Sequence, residues 1–535
     1  MFEQTLNPAG HLWLTILLAL VPLIVLILML AVLRVTAWLA TIIAGVITVP
    51  LGVVIWHAPF SATMKSYLFG GLTGIWSIDW ITFWGLVIFN TLVLTGDFGR
   101  FRNWLVHHAT ADIRIQTIML AWAFGALLEG LVGFGYPWAV VVPILVGLGI
   151  ADLAAIRVAA LANNAPVSYG ALGAPIIGLA AVTGLPLLAL SGSIGNVVAI
   201  LALLPPCVLI YLVSGWAGLT EAWPLAIVGS LSYILGQWPV AHFLGPYLPD
   251  LSGALVSFWI LFLFVKVWQP RHARGFGGGV LGPALTTANA PEIISARQAF
   301  LAWVPYIILI IVVVAWTGPW SRLPAISWFK MSIAAKSSVT QRAITSVFNF
   351  TPFSGGTSIL VSWLVILTVL RPDGQMLKQV FARTFKQMWG ALLVAFFIFA
   401  LAYIFVYTGM ANSLAYGLSK VGVFFVVLAP LLGWIGVALS GSNTSTNAMF
   451  GPVQAVTGRL LNLPTLLLPS LNSVGAEVGK PIAPQTASVG VSTSRFVRGE
   501  GQVIRNNMGW TLVMLAYLIL IAVLFYYLFP ESMSF

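Results

Sequence analysis

The hydrophobic residues of this chain run in blocks separated by short polar segments. Each block approaches the length of about 20 residues that an α-helix needs to cross a membrane, and a helix satisfies its own backbone polar groups in lipid. We therefore predict an all-α polytopic membrane protein with about 12–14 transmembrane helices, some of them broken by Gly or Pro. The predicted spans are 13–33, 36–56, 76–96, 115–131, 156–182, 185–213, 222–241, 250–267, 297–316, 355–371, 388–408, 421–440, 464–490 and 506–529.

Composition supports a membrane protein that contacts the lipid bilayer. Of the 535 residues, 60% are hydrophobic and 7% are charged, whereas a soluble chain averages about 25% charged. The net charge of +11 comes from Lys and Arg in short loops, which favours cytoplasmic loops over a nucleic-acid partner. The single cysteine, Cys207, excludes an internal disulfide, and no motif predicts a metal ion or a cofactor.

The basic residues also predict the topology. Segment 1–11 has no Lys or Arg and is placed outside, whereas the basic loops are placed inside. The predicted inside loops are 97–114, 266–297, 371–386 and 495–505. Spans that alternate in direction place all of these loops inside only if one segment in 115–267 and one in 421–490 enter the membrane and return on the same side.

Segment 317–354 conflicts with this scheme. It carries Arg322, Lys330, Lys336 and Arg342 without an acid, yet alternation places it outside. We interpret it as an amphipathic helix at the membrane surface.

Two parts of the chain resemble each other at an offset of 309–311 residues. Gly125–Gly130 aligns with Gly436–Gly441, and Asn163–Gly170 aligns with Asn472–Gly479. The two copies start on opposite sides in the predicted topology, so we expect inverted repeats, as in many secondary transporters. Chance similarity between small-residue helices is the alternative.

The expected organisation is an N-terminal half, 1–267, with interrupted segments 124–150 and 156–182; a cytoplasmic linker, 268–296; and a C-terminal half, 297–535, with interrupted segments 436–460 and 464–490.

Glu129 lies inside an apolar, glycine-rich segment, Phe124-Gly-Ala-Leu-Leu-Glu-Gly-Leu-Val-Gly-Phe-Gly135. An acid near the centre of a membrane is costly and therefore usually functional. Because a carboxyl group can be protonated or charged, we predict that Glu129 carries a proton. A structural ion pair, for example with Arg157, is the alternative.

We expect Gly130, Gly133 and Gly135 to interrupt this helix and to expose amide groups that suit an anion.

The other candidate residues are polar side chains next to helix breaks. Pro166 should break the ladder beside Asn163, Asn164 and Ser168, and Gly441 should precede a re-entrant turn. Lys480 offers a point charge for an anionic substrate, or it neutralises Glu477, three residues earlier. The remaining predicted substrate-binding residues are Ser442, Asn443, Thr444, Asn447, Asn472 and Gln485. Asp79, between Trp76 and Trp80, is interpreted as part of an interfacial belt.

These motifs resemble the lactate permease family of bacteria. The resemblance covers nearly the whole chain and includes Asn164-Ala-Pro-Val-Ser-Tyr-Gly-Ala-Leu-Gly173, Gly441-Ser-Asn-Thr-Ser-Thr-Asn447 and Gly479-Lys-Pro-Ile-Ala-Pro-Gln485. It implies proton symport of L-lactate, D-lactate or glycolate across the bacterial inner membrane. Family members have an acid where this chain has Asn443 and none at Glu477. We therefore hypothesise that Glu477 replaces that acid and joins Glu129 in proton coupling.

The sequence favours a secondary transporter of small 2-hydroxymonocarboxylates, with protons as the coupling ion. Another small organic anion, or sodium coupling, is the alternative within transport. ATP-driven transport by this chain is disfavoured because no Walker motif occurs. An enzyme is disfavoured because no nucleophile or metal constellation is evident.

Overall fold

Apolar blocks form α-helices throughout the chain, because lipid offers no partner for unpaired backbone groups. The computed structural model describes residues 1–108, 110–133, 135–281, 296–492 and 499–535. Its first elements are β1 (Phe2–Glu3), α1 (Leu12–Ile27), α2 (Ala37–Val54), α3 (Phe60–Thr73), α4 (Trp80–Leu94) and α5 (Asp97–His108). A π-helical turn, Gly74–Asp79, joins α3 to α4 without ending the helix.

Shorter helices follow where Gly and Pro become frequent. They are α6 (Ile113–Thr117), α7 (Phe124–Leu131), α8 (Tyr136–Gly147), α9 (Asp152–Ala162) and α10 (Gly170–Thr183). Longer helices then resume as α11 (Leu187–Leu201), α12 (Pro205–Phe243) and α13 (Pro249–Val267). Two breaks divide α12 into two spans, since Gly215 and Ala222 have non-helical backbone angles.

The second part of the chain repeats this sequence of long and interrupted helices. Its elements are α14 (Ala296–Thr317), β2 (Phe329–Lys336), β3 (Ala343–Phe350), α15 (Gly355–Leu370), α16 (Gly374–Thr408), α17 (Met410–Ser419), α18 (Phe425–Ser440), α19 (Asn443–Leu460), α20 (Leu467–Gly479), α21 (Pro484–Ser492) and α22 (Glu500–Leu528). Of the predicted linker 268–296, residues 282–295 lie outside the described part of the chain.

Within the described ranges, nine helical stretches are long and apolar enough to cross a membrane, or ten if the bent pair α9–α10 counts as one span. This number is below 12–14 for two physical reasons. The stretch Leu187–Phe243 counts once although it contains two spans. The interrupted segments consist of helices of 5 to 18 residues, most of which are too short to cross alone.

Residues 329–350 form a β-hairpin, so the prediction of an amphipathic helix in 317–354 was wrong. β2 and β3 pair antiparallel from Phe329↔Phe350 to Lys336↔Ala343. β1 adds a parallel third strand, with Phe2 opposite Ala335. Alternating β-branched and aromatic residues in 343–350 are typical of a strand, and the hairpin explains why the basic residues of this segment do not share one helical face. The segment thus lies at the same end of the molecule as the N-terminus.

A buried ion network joins α6, α12 and the segment that follows α13. The Arg114 guanidinium donates to both oxygens of Asp112, at 3.0 and 2.6 Å, and to Glu221 Oε2 at 3.2 Å. It also donates to the His272 carbonyl at 2.7 Å, while Arg274 Nε donates to Glu221 Oε2 at 2.9 Å. We call this region the basic end. Residues 271–274 of the predicted linker are therefore docked onto the helices.

Glycine allows close helix packing in the second interrupted region. A Cβ at Gly433 of α18 would overlap the Asn472 carbonyl oxygen of α20, and a Cβ at Gly475 would overlap the Pro430 carbonyl oxygen. Small residues commonly permit such backbone approach between membrane helices. The contact holds α20, which carries several candidate site residues, at a fixed distance from α18.

We predict that Arg114→Ala strongly destabilises the protein. Its side chain is fully buried, and leaving Asp112 without its partner should cost about 3–5 kcal/mol of unfolding free energy. The control is Arg100→Ala, because Arg100 is 54% exposed in its pair with Asp97 and such pairs contribute less than about 1 kcal/mol. Thermal unfolding of the detergent-solubilised protein measures both. Equal melting temperatures for the two variants would contradict the role of the network.

Candidate functional site

The first interruption separates α7 from α8. Gly133 and Gly135 have positive φ angles of 66° and 79°, and Pro137 occupies the first turn of α8. Only glycine adopts this backbone without strain, so the chain reverses here. Gly130 does not belong to the break: it lies inside α7, where a Cβ would stand 2.7 Å from the Asp250 Cβ. Its small size serves packing against α13. Phe134 lies outside the described residues.

The second interruption bends α9 and α10 by 68°. It begins at Asn163 and includes Pro166 and a short 3-10 turn, Val167–Tyr169. Ala171, Leu172 and Gly173 then adopt left-handed angles, which cost roughly 1–2 kcal/mol at each non-glycine residue. The break is therefore longer than Pro166 alone predicts, and regular helix resumes only after Gly173.

The third interruption separates α18 from α19. Gly441 has a φ of 74°, and the Ser442 side chain accepts a hydrogen bond from Ser445 N. The polar run predicted as a re-entrant turn therefore forms the capped first turns of α19, with Asn443 and Thr444 at the exposed amides of its N-terminus. In the fourth interruption a 3-10 turn, Lys480–Ile482, lies between α20 and α21.

Glu129 and Lys480 form a buried ion pair across the two interrupted regions. The Lys480 Nζ to Glu129 Oε1 distance is 2.6 Å, and Asn163 Nδ2 donates to Glu129 Oε2 at 2.9 Å. Glu129 is 1% exposed and Lys480 6%. Lys480 thus pairs with Glu129 rather than with Glu477, and Glu129 pairs with Lys480 rather than with Arg157.

Glu477 accepts hydrogen bonds from the break between α9 and α10. Its Oε2 accepts hydrogen bonds from the backbone N–H of Ser168, at 3.2 Å, and from the Ser168 hydroxyl. Its Oε1 has no hydrogen-bond partner among the described residues. These bonds join α20 to the break between α9 and α10.

Three amides connect the elements behind the ion pair. Asn472 Nδ2 donates to Asn447 Oδ1 at 2.9 Å, and Asn447 Nδ2 donates to the Pro175 carbonyl at 3.0 Å. Asn443 Nδ2 donates to the Ser473 carbonyl at 3.1 Å. These bonds fasten α19 to α20 and α10. Asn164 is fully buried, and its amide has no partner in the described ranges.

A cavity of about 510 Å³ lies between the interruptions and the helices α2, α4 and α16. It extends to exposed Thr36, Gln387 and Trp389, so it reaches the surface of the chain. The predicted site residues that line it are Glu129, Lys480, Ser442, Asn443, Thr444 and Gln485. The predicted residues outside this lining are Asn163, Asn164, Ser168, Asn447, Asn472 and Glu477.

Asp79 was misassigned from the sequence. It is 3% exposed and lines the same cavity, rather than lying in an interfacial belt. The neighbouring tryptophans suggested the interface, but Trp76 and Trp80 stack on each other at 5.1 Å and donate to Thr351 O and Thr357 Oγ1. The sequence does contain one sign of this role: Asp79 is an acid within the apolar stretch Phe60–Leu94, and acids at membrane depth are usually functional.

The family described as L-lactate permease matches residues 15–529. The chain belongs to the L-lactate permease family. It is 32% identical to glycolate permease GlcA of Escherichia coli (strain K12), covering 99% of this chain and 98% of that protein. It is 30% identical to the L-lactate permease of the same strain, with 96% of each chain covered. The resemblance seen in the sequence motifs is confirmed, and this permease is a multi-pass protein of the bacterial inner membrane.

Among solved structures, the YdaH transporter of Alcanivorax borkumensis is similar to the permease with a TM-score of 0.46 and 16% identity, covering 88% of this chain and 90% of that chain.

We predict that Gly170→Ala impairs transport without removing any polar group. A Cβ at Gly170 would lie 2.6 Å from Glu129 Oε1 and would push the carboxylate away from Lys480. A displacement near 1 Å can cost about 100-fold in activity, so uptake should fall at least about tenfold. The control is Gly125→Ala, because a Cβ there has its nearest neighbour at 3.9 Å. Normal uptake by Gly170→Ala would show that the position of Glu129 is not critical.

Proposed function

We propose that this permease imports small 2-hydroxymonocarboxylates, namely L-lactate, D-lactate and glycolate, by symport with protons. The family and the printed names of the relatives support the substrate class. One structural observation carries the coupling: Lys480, the cation that lines the cavity in the described residues, is held by Glu129.

An anion that enters the cavity competes with Glu129 for Lys480. While Glu129 is ionised, the pair is neutral and a second carboxylate finds no free cation. Protonation of Glu129 removes its charge, so the Lys480 ammonium becomes available to the substrate carboxylate. Since burial of an unpaired charge is costly, the proton and the anion stabilise each other in the cavity. The loaded site then has the same net charge as the empty one.

The rest of the lining suits both the carboxylate and the 2-hydroxyl group of such a substrate. The start of α19 presents amide groups next to Ser442 and Thr444, and a helix N-terminus favours an anion. Asn443 Oδ1 has no hydrogen-bond partner in the described chain, so it is a free acceptor for a 2-hydroxyl group. These residues would orient the substrate while Lys480 neutralises it.

Access to the site involves one side at a time. The cavity reaches the surface near Trp38 and Trp389, whose rings lie 6.1 Å apart. Arg34, Arg383 and Lys386 are close to them in the chain, and the positive-inside rule assigns such residues to the cytoplasm. We therefore interpret this state as open to the cytoplasm. Release to this side followed by movement of the interrupted helices would complete alternating access.

Proteoliposomes with an inward proton gradient and no sodium should accumulate radiolabelled L-lactate. Unlabelled D-lactate and glycolate should compete, because they share the carboxylate and the 2-hydroxyl group. Empty liposomes and liposomes without a gradient are the controls. Uptake that requires sodium would overturn proton symport, and an absence of competition would overturn the substrate class.

Glu129→Gln should separate exchange from accumulation. The amide mimics the protonated acid and leaves Lys480 free, so lactate exchange should persist with a weaker pH dependence, whereas gradient-driven accumulation should fall. Lys480→Met should raise the KM about 10- to 100-fold, since a hydrogen bond to a charged group contributes about 1.5–3 kcal/mol. Lys420→Met, at an exposed lysine next to Tyr416, is the matched control. Full accumulation by Glu129→Gln would exclude Glu129 as the proton carrier.

The same assay tests Glu477, whose role in proton coupling stays a prediction. Its carboxylate lies outside the lining of the cavity, and Glu477→Gln keeps an oxygen acceptor for Ser168.

A further inference from the structure

Asp79 is an acid of the cavity that the cycle above does not use. It lies at the end of the π-helical turn Gly74–Asp79, and π-helical turns often occur at functional sites. The residue is 3% exposed, and its Oδ2 has no hydrogen-bond partner in the described part of the chain. No ion pair to Asp79 is present within the described ranges. A buried carboxyl group therefore faces the substrate cavity without compensation.

The lining of the cavity contains more acids than bases. Among the described residues, the ionisable side chains of the lining are those of Glu129, Asp79, Lys480 and Tyr136. Glu129 and Lys480 cancel in their ion pair, and a tyrosine phenol is neutral near pH 7. An ionised Asp79 leaves the cavity with a net charge of −1 before any anion enters, and a bound lactate would raise this to −2 unless protons are added.

The helices around Asp79 supply no buried cation. Its turn packs against α3, α4, α10 and α16. Neither α4 nor α10 contains a Lys, Arg, His, Asp or Glu residue. The tyrosines of α3 and α16 are Tyr67, Tyr403 and Tyr407, and the Tyr403 hydroxyl already donates to Thr73. The cations of these two helices are all exposed: Lys65, Lys378, Arg383 and Lys386.

Asp79 also belongs to the wall that meets the capped start of α19. A Cβ at Gly178 would lie 3.3 Å from Thr444 Cγ2 and 3.5 Å from the Cδ1 of Ile78, the residue before Asp79. The turn that carries Asp79 and the proposed anion-binding turn are thus neighbours across α10. Both line the same cavity, and charges act over several ångströms in a medium of low dielectric constant, so an ionised Asp79 would repel an anion bound at this turn.

We propose that Asp79 is a second proton-binding residue, so that two protons enter with each monocarboxylate anion. One proton resides on Glu129 and frees Lys480; the other resides on Asp79 and removes its repulsion of the anion. Both leave with the substrate on the cytoplasmic side. Each cycle then moves one net positive charge inward. The inference rests on the proposed function, since it assumes that Lys480 takes the substrate carboxylate.

The first test is the response of the wild-type protein to a membrane potential. Proteoliposomes carry a fixed pH gradient, and a potassium gradient with valinomycin sets the potential. With one net charge per cycle, L-lactate accumulation should rise about tenfold for about 59 mV, inside negative. Accumulation driven by the pH gradient but independent of the potential would overturn the role of Asp79 while leaving the proposed function intact. An absence of gradient-driven accumulation at every potential would instead overturn the proposed function and, with it, this inference.

The second test assigns the charge to Asp79. Asp79→Asn should still accumulate lactate with the pH gradient, but its accumulation should no longer respond to the potential. Asp79→Glu keeps the acid and should retain the response. Asp250→Asn is the matched control, because Asp250 is buried against Tyr233, at 2.9 Å, and does not line the cavity. An Asp79→Asn protein that responds to the potential like the wild type overturns the proposal. If this variant does not transport, Asp79→Glu decides, because transport by Asp79→Glu without a response to the potential overturns the proposal as well.

Discussion

The buried ion pair between Glu129 and Lys480 is the interaction on which the site depends. Its partners are 351 residues apart in sequence, and each comes from a different interrupted region. Neither charge is tolerated alone at membrane depth, so each makes the burial of the other possible. An ion pair in such a place is a modest source of stability but a strong constraint on arrangement. While the pair is intact, the two breaks have to stay adjacent.

The amide side chains divide into two sets with different tasks. Asn472 donates to Asn447, which in turn donates to the Pro175 carbonyl, so the two amides connect α20, α19 and α10. Asn443 lines the cavity, and its carbonyl oxygen has no hydrogen-bond partner in the part of the chain that the structure describes. The strained left-handed residues Ala171 and Leu172 are maintained by this rigid surrounding. The cavity therefore has a firm wall behind its polar lining, which is what recognition of a small anion requires.

Sequence patterns predict this fold where one local signal decides the outcome. Runs of apolar residues place the spans, and Gly133, Gly135, Pro166 and Gly441 mark positions where the helical backbone ends. Pairing across the fold is not a local property: nothing near Lys480 indicates Glu129 as its partner, and the adjacent Glu477 is the misleading choice. The position of Asp79 is mispredicted for the same reason. Its tryptophan neighbours resemble an interfacial belt, and only the folded chain shows that α10 and α16 pack against the turn that carries Asp79. The hairpin at 329–350 is hard to predict because its basic residues suggest a helix at the membrane surface, whereas the alternation of side chains in 343–350 indicates a strand.

The three-stranded sheet imposes an order on how the chain is made. Phe2 and Glu3 are synthesised long before their strand partners, Ala335 and Lys336, which follow more than 300 residues later. Until then the first strand has unpaired backbone groups, and Gln4 lacks the carbonyl groups of Val406 and Tyr407 to which it donates. This end of the molecule is thus completed only after α16 has been synthesised. The N-terminal segment therefore joins the sheet only after β2, β3 and α16 have been made.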